Sequence, residues 1–232
     1  MINGIKLKVC GITSVGDAEA ADAVGADYLG FIFYPKSPRY VSKPQMLAMR
    51  DRLPPRKRVA VSVEPTPDDL ARQVEMGFDL FQVHFNPQIS PAVVGSWAGA
   101  VGVDRLWLAP RLPAGVDVYP ELLPLAETFL IDTFHPDKMG GTGETGDWAK
   151  FRRFRETYPA KQWILSGGLD HANVAAAVTA TGAKMIDVNS GVEQAPGIKS
   201  PAKLQAFALS LHNATKHENS PCQPPAADAS PR

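Results

Sequence analysis

Apolar positions along the chain fall into short runs rich in β-branched and aromatic residues, separated by Ala-rich or amphipathic stretches. That alternation is the pattern of βα units feeding a parallel sheet. Eight runs carry the strand signature, at residues 5–10, 27–33, 57–63, 79–84, 102–108, 128–132, 162–166 and 184–188. The helical stretches between them repeat one starting device, a capping Ser or Thr with Pro beside it: Thr66-Pro67, Ser90-Pro91, Ser200-Pro201 and the variant Ser42-Lys43-Pro44. Gly25 and Gly77 are placed to stop the first and third helices, and Asp170 to cap the helix over residues 173–181. The fifth helix, near residues 118–126, is the weakest, because Pro120 and Pro124 interrupt it. Eight units predict one α/β domain over residues 1–212, a (β/α)8 (TIM) barrel with eight parallel strands. An open doubly wound sheet is the alternative, but no Gly-x-Gly-x-x-Gly follows the first strand to mark a dinucleotide-binding half. Residues 213–232 are polar and Pro-rich, and read as a disordered tail.

Charge narrows the partners. Lys plus Arg and Asp plus Glu each total 24 of the 232 residues, so no net charge gathers nucleic acid or an acidic membrane surface. Of the two cysteines, Cys222 lies in the tail, which argues against a disulfide framework and for a reducing compartment. No basic-then-apolar leader precedes the first strand, and no apolar run reaches the roughly 18 residues of a membrane span. The expectation is a soluble cytoplasmic protein acting on a small molecule.

In such a barrel function sits at the C-terminal ends of the strands. There the sequence offers Cys10 and Gly11, the loop holding Arg39, then Glu64, His84, Asp132, Gly167-Gly168 and Asn189-Ser190-Gly191. Glycine turns after the seventh and eighth strands let backbone N–H groups approach a phosphate. Residues 140–146, with four glycines, suit a lid that excludes water. Arg39, in a loop stiffened by Pro35 and Pro38, can fork onto a carboxylate. Asp132 can serve as a general acid if its pKa rises from about 3.9 towards 6.5, a preference of roughly 3.5 kcal/mol for the neutral form. Cys10 has the opposite need: a nearby cation would favour its thiolate. His84 reads as a packing or substrate-contact residue, since no paired Cys-x-x-Cys or His-x-x-x-His spacing supports a metal.

Taken together, Lys8-Val-Cys-Gly-Ile-Thr13, Gly30-Phe-Ile-Phe-Tyr-Pro-Lys-Ser-Pro-Arg-Tyr-Val41, Gln82-Val-His84, Leu130-Ile-Asp-Thr133, Gly140-Gly-Thr-Gly143, Asp147-Trp148, Ser166-Gly-Gly-Leu169 and Asp187-Val-Asn-Ser-Gly-Val-Glu193 resemble the phosphoribosylanthranilate isomerases. The resemblance runs in order over residues 5–208. It implies a barrel of tryptophan biosynthesis, monomer or homodimer, that carries out an Amadori rearrangement without cofactor. It further implies Cys10 as general base, Asp132 as general acid, Arg39 at the anthranilate end, and phosphate on Gly167, Gly168, Asn189, Ser190 and Gly191. Three positions depart from the pattern: Phe85 for the usual Gly, Gly146 for an aromatic, and Asn189 for Ser. Two other readings stay in view. A histidine-pathway barrel isomerase resembles a two-aspartate arrangement, which Cys10 opposes, and a silent phosphosugar-binding barrel would tolerate loss of Cys10 or Asp132.

Overall fold

The computed structural model describes residues 1–113, 116–132 and 147–214. Eight parallel strands close into a barrel in sequence order: β1 (Lys6–Val9), β2 (Tyr28–Ile32), β3 (Lys57–Val63), β4 (Leu80–Phe85), β5 (Leu106–Pro110), β6 (Thr128–Ile131), β7 (Gln162–Leu165) and β8 (Met185–Val188). β1 pairs with β8, Lys8 opposite Asp187 and Val9 opposite Val188, which shuts the ring. Outside the barrel lie α1 (Val15–Ala23), α2 (Lys43–Met49), α3 (Pro67–Glu75), α4 (Pro91–Val101), α5 (Trp148–Thr157), α6 (Val174–Thr181) and α7 (Pro201–Ala214). Between β5 and β6 the chain makes a 3₁₀ helix, Pro120–Leu125, in place of an α-helix, as the two prolines dictate. A short antiparallel hairpin, β9 (Glu193–Ala195) and β10 (Ile198–Lys199), follows β8.

The capping signals do what their chemistry requires. Ser42 and Thr66 close reciprocal capping boxes with Gln45 and Asp69, Ser90 accepts from Ala92 N, and Asp147 accepts from Lys150 N. Asp170 is not the cap of α6: the N-cap is Asn173, with no side-chain hydrogen bond, and Asp170 accepts from Ala172 N and Asn173 N in the turn ahead of it. Two boundaries move. The fifth strand runs over Leu106–Pro110, not residues 102–108, because Gly102, at φ 87°, ends α4 and turns the chain before Leu106. The last helix reaches Ala214, two residues beyond the expected domain end at 212. The proposed lid, with Gly146, and residues 215–232 lie outside the described residues.

The two-residue period of the strands sorts their side chains into two separate apolar clusters. One lies between barrel and helices and takes Leu7, Val9, Phe31, Phe81, Val83, Phe129 and their neighbours; the other fills the lumen with Tyr28, Val59, Val61, Leu80, Trp107, Leu130, Ile164 and Met185. Cys10 belongs to the lumen cluster. Phe85 belongs to the outer one: it is fully buried and meets the Trp97 ring edge-on at 5.5 Å. Phe85 thus turns away from the lumen, and leaves His84, one residue earlier, on the inner face. Phe85→Ala should therefore cost about 3–5 kcal/mol in urea unfolding through the cavity it leaves against Trp97.

Candidate active site at the C-terminal mouth of the barrel

Cys10 leaves the end of β1 at the rim of the lumen, its N–H donating to Val188 O at 2.8 Å, and only 4% of it is exposed. Below it, Lys8 points into the same lumen, fully buried, with Nζ 2.8 Å from Asp187 Oδ2. Gly30 on β2 makes room for both: a Cβ there would stand 3.0 Å from Cys10 Sγ and 3.0 Å from Lys8 Cε. Burial pushes the Cys10 thiol above its ordinary range, against the pull of Lys8. Burial likewise raises Asp187. Lys8 is held charged, because the two acids together outweigh its desolvation.

Asp132 follows β6, three strands from β1 round the ring through β8 and β7. Ser166 sits beside it, its N–H donating to Ile131 O. His84, on β4, receives a 2.8 Å contact from Gln82 Nε2. Burial, reinforced by the cations Lys8 and Arg111, lowers its pKa to about 3, so the ring is neutral at physiological pH and cannot act as a cationic anchor. Glu64 is a brace: with φ 45°, it accepts from Asn86 N and ties the end of β3 to that of β4.

Arg39 was expected to fork onto a substrate carboxylate. Its fork is taken instead by Glu193, Nε to Oε1 at 2.8 Å and Nη2 to Oε2 at 2.7 Å, which raises the Arg39 pKa. Burial works to raise Glu193, but Arg39 and Lys199 overcome it and hold the carboxyl below its usual value. Lys199 is fully buried and donates to Glu193 and to the Asn189 side-chain oxygen at 2.9 Å. Asn189 therefore keeps only its amide N–H groups to offer. The assembly abuts Cys10: a Cβ on Gly11 would meet Asn189 Oδ1 at 2.6 Å and Arg39 Cδ at 2.8 Å.

The two glycine turns come together. Gly167 and Gly168 take φ of 94° and 62°, which only glycine adopts cheaply, and a Cβ on Gly191 would fall 2.0 Å from Leu169 O. The Ser190–Val192 turn is thus seated directly on the loop that follows β7. Asn173 Nδ2 braces that loop by donating to Gly168 O. Among the described residues no group of three or more His, Cys, Asp or Glu is arranged to hold a metal, and no helix is long and apolar enough to cross a membrane.

The family model for N-(5'phosphoribosyl)anthranilate (PRA) isomerase matches residues 7–209. The chain belongs to this family. A curated isomerase from Pseudomonas putida is 38% identical over 223 residues, spanning 92% of this chain and 100% of its own. The crystal structure of TrpF from Jonesia denitrificans superposes with TM-score 0.74 at 32% identity, covering 91% of this chain and 98% of that one. A third relative, a phosphoribosyl anthranilate isomerase in complex with reduced 1-(o-carboxyphenylamino)-1-deoxyribulose 5-phosphate, has TM-score 0.69 at 28% identity, covering 90% and 99%. The chain is accordingly an isomerase of tryptophan biosynthesis built on a TIM barrel.

Sequence reasoning passed over Lys8, Gln82, Asp187, Glu193 and Lys199 as site residues. The signal for three of them was there: a charged or amide residue at an inward position of an otherwise apolar strand. For His84 the sign of the acid response follows from its depressed pKa: the unfolded ring, near 6.5, binds a proton that the folded one refuses until about pH 3. Stability is full above pH 6.5 and falls as pH drops. Urea unfolding at pH 7 and pH 5 should show a loss of up to about 2 kcal/mol from this group, absent in His84→Asn.

Proposed function

We propose that the isomerase reaction runs between Cys10 and Asp132 across the barrel mouth, with N-(5'-phosphoribosyl)anthranilate held by its phosphate at the glycine turns. Asp132 gives a proton to the ribose ring oxygen, the C1′–O bond breaks, and the anthranilate nitrogen carries the resulting protonated imine. The Cys10 thiolate removes the C2′ proton to give an enolamine. Gain of a proton at C1′ and loss of one from the C2′ hydroxyl complete the 1-(2-carboxyphenylamino)-1-deoxyribulose 5-phosphate product. No redox step or external group enters this balance.

The observation that carries the reading is a buried thiol and a carboxylate at the ends of strands three apart round one mouth, with two interlocked glycine turns between them at β7 and β8. The relative's complex with a phosphorylated product analogue supports a phosphorylated ligand, and the interlocked turns of Gly167, Gly168, Ser190 and Gly191, joined by the Asn189 amide, suit its phosphate because their backbone N–H groups can approach it. Arg39, clamped on two of its nitrogens by Glu193, presents its remaining edge to the anthranilate carboxylate. The neutral His84 ring contacts substrate as a hydrogen-bonding group. The protein acts in the cytoplasm.

Turnover followed by loss of substrate fluorescence tests the assignment. Cys10→Ala and Asp132→Asn should each lower kcat by about 10²–10⁴-fold with the fold retained; full activity in both removes the acid–base pair. Gly191→Ala should raise KM far more than it lowers kcat, because it drives the Ser190 turn off Leu169 O without touching either proton-transfer group. An unchanged KM would place the phosphate elsewhere.

A further inference from the structure

As the base, Cys10 must work as a thiolate from a position where burial opposes ionisation. A fully enclosed lysine two residues earlier on the same face of β1 addresses this. Lys8 is held from one side by Asp187, directly opposite it in the β1–β8 register, and Asp187 has a second oxygen, Oδ1, that is buried with no protein partner. Over Gly30 the lysine stem and the Cys10 sulfur lie side by side, each 3.0 Å from where a Cβ would stand. One ammonium therefore serves two buried acids, one of which belongs to the reaction and one of which does not.

We propose that Lys8 and Asp187 are positioning residues that set the base strength of Cys10, the Lys8 ammonium being the counter-charge of the thiolate and the Asp187 carboxylate competing for it. Neither residue needs to touch substrate. With Lys8 alone, the thiol would ionise readily and make a weak base; with Asp187 drawing on the same charge, the thiolate forms at a higher pH and takes a proton from carbon more strongly. The inference rests on the assignment of Cys10 as the base. Other charges facing the thiol are Lys199 from β10 and Arg39 from the loop after β2, both already committed to Glu193. Asp132 from β6 and the neutral His84 from β4 face the same mouth.

The two members of the pair have opposite electrostatic effects on Cys10, and that separates tuning from mere support. Breaking an ion pair for structural reasons would disturb the site in the same direction whichever partner is removed. Tuning predicts opposite shifts. In a Cys222→Ser background, Cys10 is the only thiol, and its ionisation can be followed by the ¹³Cβ chemical shift of labelled cysteine against pH, without substrate and without reagent access. Lys8→Met should move the transition up by about one to three pH units, and the acid limb of kcat/KM should move with it. That is a roughly 10- to 1,000-fold loss of kcat/KM at neutral pH, recovered as pH rises. Asp187→Asn should move both downward. Because Lys8→Met strands a buried carboxylate and can fail to fold, the double variant Lys8→Met/Asp187→Asn supplies the second arm. It removes both charges, and its transition should lie above that of Asp187→Asn by about one to three units.

Shifts of the same sign in Lys8→Met and Asp187→Asn overturn the proposal, as does a double variant that titrates with Asp187→Asn. If the parent turns over and loses activity in Cys10→Ala while these transitions stand still, the tuning fails and the isomerase assignment stands. If Cys10→Ala retains activity, the base assignment fails whatever the titration shows.

Discussion

Closing eight parallel strands leaves a lumen that only side chains can fill, and every second residue of every strand must go there. This constraint governs the molecule. Most of the inward positions are apolar and interlock, as Tyr28 does edge-on with Trp107 at 5.1 Å. Burying charge in such a place costs several kcal/mol per ion unless a partner is supplied, and here β1 and β8 supply partners at the same level, Lys8 opposite Asp187. The register that shuts the barrel is thus the register that neutralises its interior. A slip of β1 by one residue would turn Lys8 outward into the helix layer and leave the Asp187 carboxylate alone.

A second ionic group, at the rim, organises the mouth. Glu193 sits at the start of the hairpin after β8 and accepts both the Arg39 fork and Lys199, while Lys199 reaches on to Asn189. One carboxylate thereby joins the loop after β2 to the turn after β8, on either side of Cys10. Thr13 adds a hydroxyl donated to Gly197 O, tying the start of α1 to the same hairpin. The rigidity a proton-transfer site requires comes from these cross-ties rather than from the strands alone.

The strands, their order and most helix ends were legible in the sequence because they rest on local chemistry: a Ser or Thr before Pro, a glycine that turns left-handed, a two-residue apolar period. The fifth strand was misplaced because Val103, in the turn that follows Gly102, reads as the first apolar position of the strand that begins only at Leu106. Cys10, Asp132 and the glycine turns were legible as residues at the ends of the strands, because the strands themselves were. The ion pairs were not, since Lys8 and Asp187 lie 179 residues apart and Arg39 and Glu193 lie 154 apart, and no local pattern announces such a partner. The Arg39 fork was read as free for the same reason: its carboxylate is supplied by the far end of the chain.

The closure of β1 on β8 also bears on how the protein comes into being. Cys10 is made well before the Val188 carbonyl that fixes its backbone and the Lys199 ammonium that faces it. Until they emerge, β1 has an unpaired edge along its whole length and a lysine with no carboxylate to meet it. A growing chain holds the thiol without its enclosing neighbour until β8 is made, and the site is assembled only when that strand closes on β1.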